Sequence, residues 1–169
     1  EDGAWALVKT SKRSFTAKRV INCAGVYADS LARKSGLKVP GQIIPFRGMY
    51  YQLKKERHGL INGLVYPTPN PKLPFLGIHL TRTVNDEVHC GPNASLAFGK
   101  TAYQKGEVII EDVARMAVFP GLYRMLRQHQ KMVKKELQRS RSKKSFLHAI
   151  QNLVPAVGAN DIEPGMTGI

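Results

Sequence analysis

The chain has 169 residues, of which 43% are hydrophobic and 22% charged, and its formal net charge at pH 7 is +14. A chain of this length can bury a domain-sized core, and this composition excludes an intrinsically disordered protein. No apolar run approaches the ~20 residues that a transmembrane helix needs, which excludes a bundle of spanning helices. Cys23 and Cys90 lack the spacing of a zinc site or a disulfide framework, so we expect two buried, reduced thiols and no metal site.

The positive charge is concentrated in residues 124–144, which hold nine Lys and Arg residues and one acid, Glu136, and therefore carry +8 of the net +14. Such a patch could meet nucleic acid, an anionic membrane surface or an anionic substrate, although a solvated helix face is the simplest interpretation. Nucleic-acid binding usually adds aromatic side chains that stack on bases, and this stretch contains none. We keep peripheral membrane contact as a hypothesis and consider a nucleic-acid-binding module the weaker alternative.

The first forty residues predict a hairpin, a strand and a helix. Residues 4–10 and 14–19 alternate weakly around a polar turn, which is typical of two paired strands. The apolar run at 20–25 closes in small residues and predicts a buried strand that stops at Gly25. Residues 27–35 carry helical spacing, and Gly36 is a plausible end of that helix.

The middle of the chain is rich in predicted strands separated by Pro, Asn and Asp residues. Because Asn85–Asp86 tolerate left-handed backbone conformations, the two strands on either side of them are expected to form a hairpin. The four candidate strands are Met49–Leu53, Leu64–Tyr66, Phe75–Leu80 and Val88–Gly91.

The last third predicts helices. Residues Glu111–Val118 form one segment that breaks at Pro120–Gly121. Apolar residues then recur at steps of three and four from Leu122 to Leu137, which predicts a single amphipathic helix, and a further helix follows over Phe146–Leu153. The whole pattern predicts a mixed α+β or α/β fold in which a cofactor domain is interrupted by an antiparallel substrate-binding sheet with helices.

Five segments, in this order and spacing, resemble the D-amino-acid-oxidase-like FAD-dependent oxidoreductases, in particular the members that act on 2-hydroxy acids. The resemblance covers essentially the whole chain, and five ordered blocks are far more specific than any one of them. The segments are VINCAGVYAD (20–29), PFRGMYYQLK (45–54), LVYPTPNPKLPFLGIHLT (64–81), GPNASLAF (91–98) and LVPAVGANDIEPGMTGI (153–169).

This resemblance implies FAD as cofactor and the oxidation of L-2-hydroxyglutarate to 2-oxoglutarate, with electrons passed on to an acceptor of unknown identity. An amine-oxidising or glycerol-phosphate-oxidising member of the same family is the alternative. The resemblance also implies a mitochondrial location if the source is eukaryotic. No Gly-x-Gly-x-x-Gly motif occurs in the chain, so we expect an internal fragment that is inactive and binds FAD weakly on its own.

The resemblance divides the chain into three parts. Residues 1–40 correspond to part of a Rossmann-like FAD-binding domain, and residues 41–150 to a substrate-binding domain. Residues 151–169 correspond to the return toward the FAD-binding domain. Within the first part, Cys23, Ala24 and Gly25 are the expected cofactor contacts, because small residues at the end of a strand let the backbone approach a flat or charged ligand.

Two positions on the strand at 49–53 and just before it are candidates for binding substrate carboxylates. Arg47 could clamp a carboxylate bidentately, or form a structural ion pair at the entrance of the strand. Tyr50 and Tyr51 point to opposite faces, so one could donate to a carboxylate while the other packs, and the sequence does not choose between them. We take Tyr50 as the candidate.

Within the resemblance, His79 is the candidate proton acceptor or substrate donor, because a histidine side chain changes protonation near neutral pH. A satisfied core histidine is the alternative at this apolar strand. Tyr66 could close over the substrate, although core packing is the preferred interpretation. Asn93 could bind a ligand, although capping of the following segment is preferred. We hypothesise that Arg47 and His79 face one substrate cavity.

Overall fold

The computed structural model describes residues 5–69, 71 and 76–169. The chain forms two compact units, Glu1–Ile43 and Ile44–Ile169. The observed mixture of antiparallel strands and helices agrees with the predicted fold class. The assignment of the predicted domains to FAD and substrate binding stays a prediction.

The first unit begins with the expected hairpin. Strand β1 (Ala6–Lys9) pairs antiparallel with strand β2 (Ser14–Ala17). The turn is closed by Thr10, whose Oγ1 accepts a hydrogen bond from the Arg13 amide at 3.1 Å and donates one to the Arg13 carbonyl at 2.7 Å. Residue 4, the first of the predicted strand, lies outside the described residues.

The predicted buried strand at 20–25 is wrong. Val20 is 52% and Ile21 84% exposed, and the backbone of this segment is irregular up to a short 3₁₀ turn at Gly25–Tyr27. A strand gains its hydrogen bonds from a neighbouring strand, and none of the described strands pairs with this segment. Asn22 shapes the turn instead, because its side chain accepts from the Ala24 amide and donates to a carbonyl of the following helix.

Helix α1 (Ala28–Lys34) confirms the predicted helix, and Gly36 follows it with a φ of +86° that favours glycine. Asp29 is buried and ties the helix to the end of the unit. Its Oδ2 lies 2.9 Å from a guanidinium nitrogen of Arg33 and 3.1 Å from the backbone nitrogen of Ile43.

The second unit is built on a six-stranded antiparallel sheet. The long central strand pairs on one edge with two successive short strands and on the other edge with the last strand of the chain. The sheet order is β4-β5-β6-β3-β7, with β8 also paired to β3. These strands are β3 (Phe46–Leu53), β4 (Leu64–Val65), β5 (His79–Arg82), β6 (Val88–Gly91), β7 (Ser95–Leu96) and β8 (Ile162–Gly168).

The predicted strands recur with shifted bounds. Strand β3 starts earlier than expected, at Phe46. Strand β5 starts later than predicted, at His79, and runs on to Arg82. Its predicted first residue, Phe75, lies outside the described residues. The expected β5–β6 hairpin is confirmed, and Asp86 in its turn has a φ of +62°. Strand β8 lies within the segment assigned from sequence to the FAD-binding domain, and it pairs with β3.

Four helices lie between β7 and β8 in the chain: α2 (Ile110–Ala117), α3 (Pro120–Gln128), α4 (Gln130–Arg141) and α5 (Lys143–Gln151). The helix predicted over Leu122–Leu137 is therefore two helices, divided at His129. The amide and carbonyl of His129 still bond to Met125 and Val133, while its φ of −114° bends the chain. Neither Pro nor Gly stands at the bend, so the sequence carries no signal for it.

The core lies between one face of the sheet and α5. The Phe146 ring of α5 packs edge-on against Tyr51 of β3, with 4.7 Å between ring centroids. A cluster of buried side chains continues this contact across the neighbouring strands, and its largest members are Phe146, Leu53, Ile61, Leu80, Ile150 and Ile162. Within the described residues, none of the helices is long and apolar enough to cross a membrane.

Candidate functional site

The register of the sheet decides which side chains share a face. Tyr51 of β3 is opposite Cys90 of β6, and Cys90 is opposite Leu80 of β5. These three residues point toward α5, since successive side chains along a strand alternate between faces. Their neighbours Tyr50 and His79 therefore point to the other face.

Two aromatic rings meet on this second face. The rings of Tyr66 and His79 have centroids 4.8 Å apart and are tilted by 33°. Tyr66 directly follows β4, whose register with β5 brings it beside His79. Tyr66 is 45% exposed, so the preferred interpretation of a core-packed tyrosine is wrong.

The hydrogen bond of His79 determines which ring nitrogen carries its proton. Nδ1 lies 3.2 Å from the carbonyl oxygen of Gly77, which can only accept. Nδ1 is therefore the protonated nitrogen of the neutral ring, which leaves Nε2 as the acceptor. A base that takes a proton from a bound hydroxyl needs this tautomer.

Tyr50 completes the group on this face. Burial raises the pKa of the Tyr50 phenol above its usual value of 10.0, and the nearby Tyr66 raises it further. Its ring stands edge-on to His89, with 6.3 Å between centroids. Tyr50, Tyr66, His79 and His89 form what we call the polar aromatic face. His89, on β6, is the member that was not among the candidates chosen from sequence.

Tyr51, the alternative to Tyr50, is used for packing. Besides its contact with Phe146, its ring lies 6.0 Å from the Lys143 ammonium. The structure thus separates the two tyrosines that the sequence leaves equivalent, with Tyr50 on the polar aromatic face and Tyr51 in the core.

Arg47 lies apart from this face. It is buried, and its guanidinium donates to the carbonyl oxygens of Ala102, at 3.4 Å, and of Gln104. By alternation along β3 it shares the face of Tyr51, and the cavity that it lines is a different one from the cavity lined by His79. The hypothesis of one cavity shared by Arg47 and His79 is therefore wrong.

The cavity that His79 lines has a volume of about 520 Å³. Asn93 lines it too, and is 2% exposed. The Oδ1 atom of Asn93 accepts a hydrogen bond from the Met49 amide at 2.9 Å, so the preferred interpretation of Asn93 as a cap is wrong. Lys131 and Lys135 of helix α4 form a basic wall of this cavity. Their spacing of four residues places them on one side of the helix, but nothing in the sequence indicates that this side lies near His79.

Glu136 of α4 connects this cavity to the one beside Arg47, because it lines both. Its carboxylate accepts from the Ala94 amide at 2.9 Å and pairs with Arg139. Among the described residues, no group of three or more His, Cys, Asp or Glu side chains could hold a metal ion.

The candidate cofactor residues belong to the first unit. Cys23 is exposed, which corrects the expectation of two buried thiols, while Cys90 is buried as expected. Gly25 has a φ of +52°, and a Cβ atom added there would meet no atom within 4 Å. The Ala24–Gly25 backbone therefore lies open to a ligand, although it forms a turn and not the end of a strand.

The chain has an open glycine turn in one unit and a polar face on an antiparallel sheet in the other. This combination fits a flavin-dependent oxidoreductase. The chain belongs to the DAO family of FAD-dependent oxidoreductases, whose sequence profile matches residues 1–169. FAD is the cofactor of this family. The open Ala24–Gly25 turn is compatible with a contact to it.

The chain is similar to proteins named L-2-hydroxyglutarate dehydrogenase. It is 42% identical to that of Indibacter alkaliphilus over 97% of this chain and 41% of the relative. It is 37% identical to that of Escherichia coli strain K12 over 92% of this chain and 37% of the relative. A relative from Nematostella vectensis, named as mitochondrial, is 35% identical over 94% of this chain and 35% of its own length. The chain thus spans about two fifths of the first of these relatives.

Proposed function

We propose that the protein containing this chain oxidises L-2-hydroxyglutarate to 2-oxoglutarate with FAD as cofactor. The names of the relatives support this substrate. The structural observation that supports it is the Tyr66–His79 pair, in which the His79 ring is held by the Gly77 carbonyl and keeps Nε2 free to accept a proton.

His79 is the proposed base of this reaction. Its Nε2 atom accepts the proton of the substrate's 2-hydroxyl group as the carbon–oxygen bond gains double-bond character. A bound FAD would supply the acceptor for the hydride that leaves C2. Tyr66 packs against the imidazole and limits its rotation, so that Nε2 keeps one direction.

Tyr50 is the proposed donor to the substrate carboxylate next to the hydroxyl. Because burial raises its pKa, the phenol stays protonated and remains a donor throughout the neutral range. A neutral donor also avoids placing a second anion beside a carboxylate. The sequence made Arg47 a candidate for this role. In the structure its guanidinium already donates to two backbone carbonyls, so Tyr50 is the better candidate.

Cys23, Ala24 and Gly25 are the proposed contacts to FAD. They carry small side chains on an exposed turn, so a ligand can approach the backbone closely.

The substrate is tested by supplying the complete FAD-loaded enzyme with 2-hydroxy acids, amines and glycerol phosphate, and following reduction of an artificial acceptor dye. The proposal predicts that kcat/KM is highest for L-2-hydroxyglutarate. A preference for an amine or for glycerol phosphate would assign the enzyme to another activity of the same family.

We also propose peripheral contact between the basic stretch 124–144 and an anionic membrane surface. The charge of +8 supports it, and so do two exposed side chains that precede this stretch, since Val118 is 80% and Tyr123 56% exposed. For a eukaryotic source we propose a mitochondrial location, in keeping with the name of the Nematostella vectensis relative.

A further inference from the structure

The cavity beside His79 carries a row of cations on one wall. Lys131, Lys135 and Arg139 are four residues apart along α4, and all three line the cavity. Residues at this spacing lie on one side of a helix, one turn above the other. Their positive charges are therefore directed toward the same space.

Acidic side chains offset only part of this charge. Glu136 is the acid among the described lining residues, and it is already engaged by Arg139 and by the Ala94 amide. Lys131 and Lys135 have no ion-pair partner within residues 5–69, 71 and 76–169. The cavity thus offers two positive charges to an incoming anion.

Asn93 adds a hydrogen-bond donor without a partner. Its Oδ1 atom must face the Met49 amide, from which it accepts at 2.9 Å, and this fixes the orientation of the side-chain amide. The Nδ2 atom is consequently the free end, and it is buried with no hydrogen-bond partner in the described structure. Asn93 lines the cavity, and an anionic oxygen that came within hydrogen-bond distance of Nδ2 would satisfy this donor, which otherwise stays desolvated at a cost in stability.

We propose that this cavity binds the second carboxylate of the substrate, the one distal to the hydroxyl-bearing carbon. Nδ2 of Asn93 donates a hydrogen bond to it, and Lys131 and Lys135 supply the compensating charge. The inference rests on the proposed function, because it assumes that the hydroxyl group binds at His79, which lines the same cavity. It makes these three residues the determinants of specificity for a dicarboxylate over a monocarboxylate.

The test uses the complete FAD-loaded enzyme and two substrates, L-2-hydroxyglutarate and L-2-hydroxypentanoate, which has the same carbon chain without the second carboxylate. The double variant Lys131→Gln/Lys135→Gln should lower kcat/KM for the dicarboxylate by about 10-fold or more, because charge-assisted contacts are lost. The variant Asn93→Asp keeps the acceptor for Met49 and replaces the donor by an oxygen, so a loss of about 10- to 100-fold is expected. For L-2-hydroxypentanoate, kcat/KM should stay within about 2-fold in both variants.

The matched control is Lys55→Gln/Arg115→Gln, which removes two exposed positive charges that line none of the described cavities. It should leave both substrates unaffected. Equal losses for the two substrates in Lys131→Gln/Lys135→Gln, or no loss for either, would overturn the inference. These lysines are exposed, so that variant remains informative even if Asn93→Asp fails to fold.

A binding measurement separates this inference from the proposed function. Calorimetry should give a dissociation constant for 2-oxoglutarate at least about 10-fold lower than for 2-oxopentanoate, and the lysine variant should abolish the difference. If the parent enzyme binds the two oxo acids equally, the cavity does not hold the second carboxylate. If this preference is present but no 2-hydroxy acid is oxidised, the proposed function fails and the binding site stands.

Discussion

At the scale of single residues, His79 has the most specific arrangement. Its Nδ1 atom donates to the Gly77 carbonyl, one side of its ring meets Tyr66, and Nε2 remains an acceptor. The sequence offers five histidines, and only the strand position of His79 within the resemblance favours it over the others. Its tautomer and its aromatic neighbour come from the pairing of β4 with β5, which residue types alone do not specify.

Replacing His79 by Gln in the complete enzyme should lower the single-turnover rate of flavin reduction by about 100- to 10,000-fold, because the proton acceptor is lost. Stopped-flow absorbance of the flavin measures this rate. His148→Gln is the control, since His148 is exposed on α5, and it should reduce its flavin at the parent rate. A His79→Gln enzyme as fast as the parent would make His79 a structural residue.

Tyr50 and Tyr51 provide a matched pair of phenol deletions. Tyr50→Phe should raise KM for the substrate by about 10-fold, because it removes a hydrogen bond to a carboxylate while keeping the ring. Tyr51→Phe should leave KM unchanged, since the Tyr51 ring packs on Phe146. Because burial raises the Tyr50 pKa, the donor is present below that pKa and is lost only above the usual phenol value. This assignment would be contradicted if KM of the parent enzyme increased between neutral pH and pH 9 while KM of Tyr50→Phe stayed constant.

The two cysteines should differ in reactivity. Burial raises the pKa of Cys90 to about 12, so its reactive thiolate is scarce in the folded protein, whereas Cys23 is exposed. Iodoacetamide at pH 8 should modify Cys23 within minutes and Cys90 only after unfolding, as read by peptide mass spectrometry. The raised pKa also adds stability below the ordinary thiol value of 9.0, and this contribution is lost as the pH rises toward 12. Equal labelling of both cysteines in the native protein would contradict the burial of Cys90.

At the scale of elements, local patterns predict what local contacts stabilise. The β1–β2 hairpin and α1 depend on turn residues and helical spacing within a few positions, and both are confirmed. The segment 20–25 was wrongly predicted as a strand, because a strand also requires a neighbour. The division at His129 was missed, because α3 and α4 keep one continuous apolar spacing through a bend that their packing determines.

The contact between α5 and the sheet should dominate the stability of the second unit. Phe146 is 1% exposed and packs against Tyr51, so Phe146→Ala should lower the free energy of unfolding by about 3–5 kcal/mol. Urea denaturation followed by circular dichroism measures the change. Val118→Ala, at a residue 80% exposed, should change it by less than about 0.5 kcal/mol. Similar effects of the two substitutions would mean that α5 does not pack on the sheet as described.

The sequence indicated several members of the candidate site but not how they group. His79 was chosen within the resemblance, and Tyr50 and Tyr66 from their positions on predicted strands. The sheet brings these three to one face, together with His89, which was not chosen. Arg47 was expected with them, yet strand alternation turns it to the opposite face, where backbone carbonyls hold it. Such a distinction depends on strand register, and one residue of difference in register reverses the face of every side chain.

At the scale of the whole molecule, the charge distribution leads to a prediction about membranes. Each basic residue near an anionic surface contributes ~1 kcal/mol, so Arg124→Gln/Arg127→Gln should weaken vesicle binding of the complete enzyme by about 30-fold. Flotation with vesicles of phosphatidylserine and phosphatidylcholine measures the bound fraction. Lys55→Gln/Arg115→Gln removes the same charge elsewhere and should bind like the parent. Equal flotation of the parent with anionic and purely neutral vesicles would remove the proposed contact.

We propose that the polar aromatic face of the sheet receives the reacting end of the substrate. A crystal structure of the complete FAD-loaded enzyme with bound 2-oxoglutarate would locate that end. We expect the 2-oxo oxygen within hydrogen-bond distance of Nε2 of His79 and the adjacent carboxylate within reach of the Tyr50 hydroxyl. A 2-oxoglutarate molecule bound in the cavity beside Arg47, away from His79 and Tyr50, would contradict this assignment.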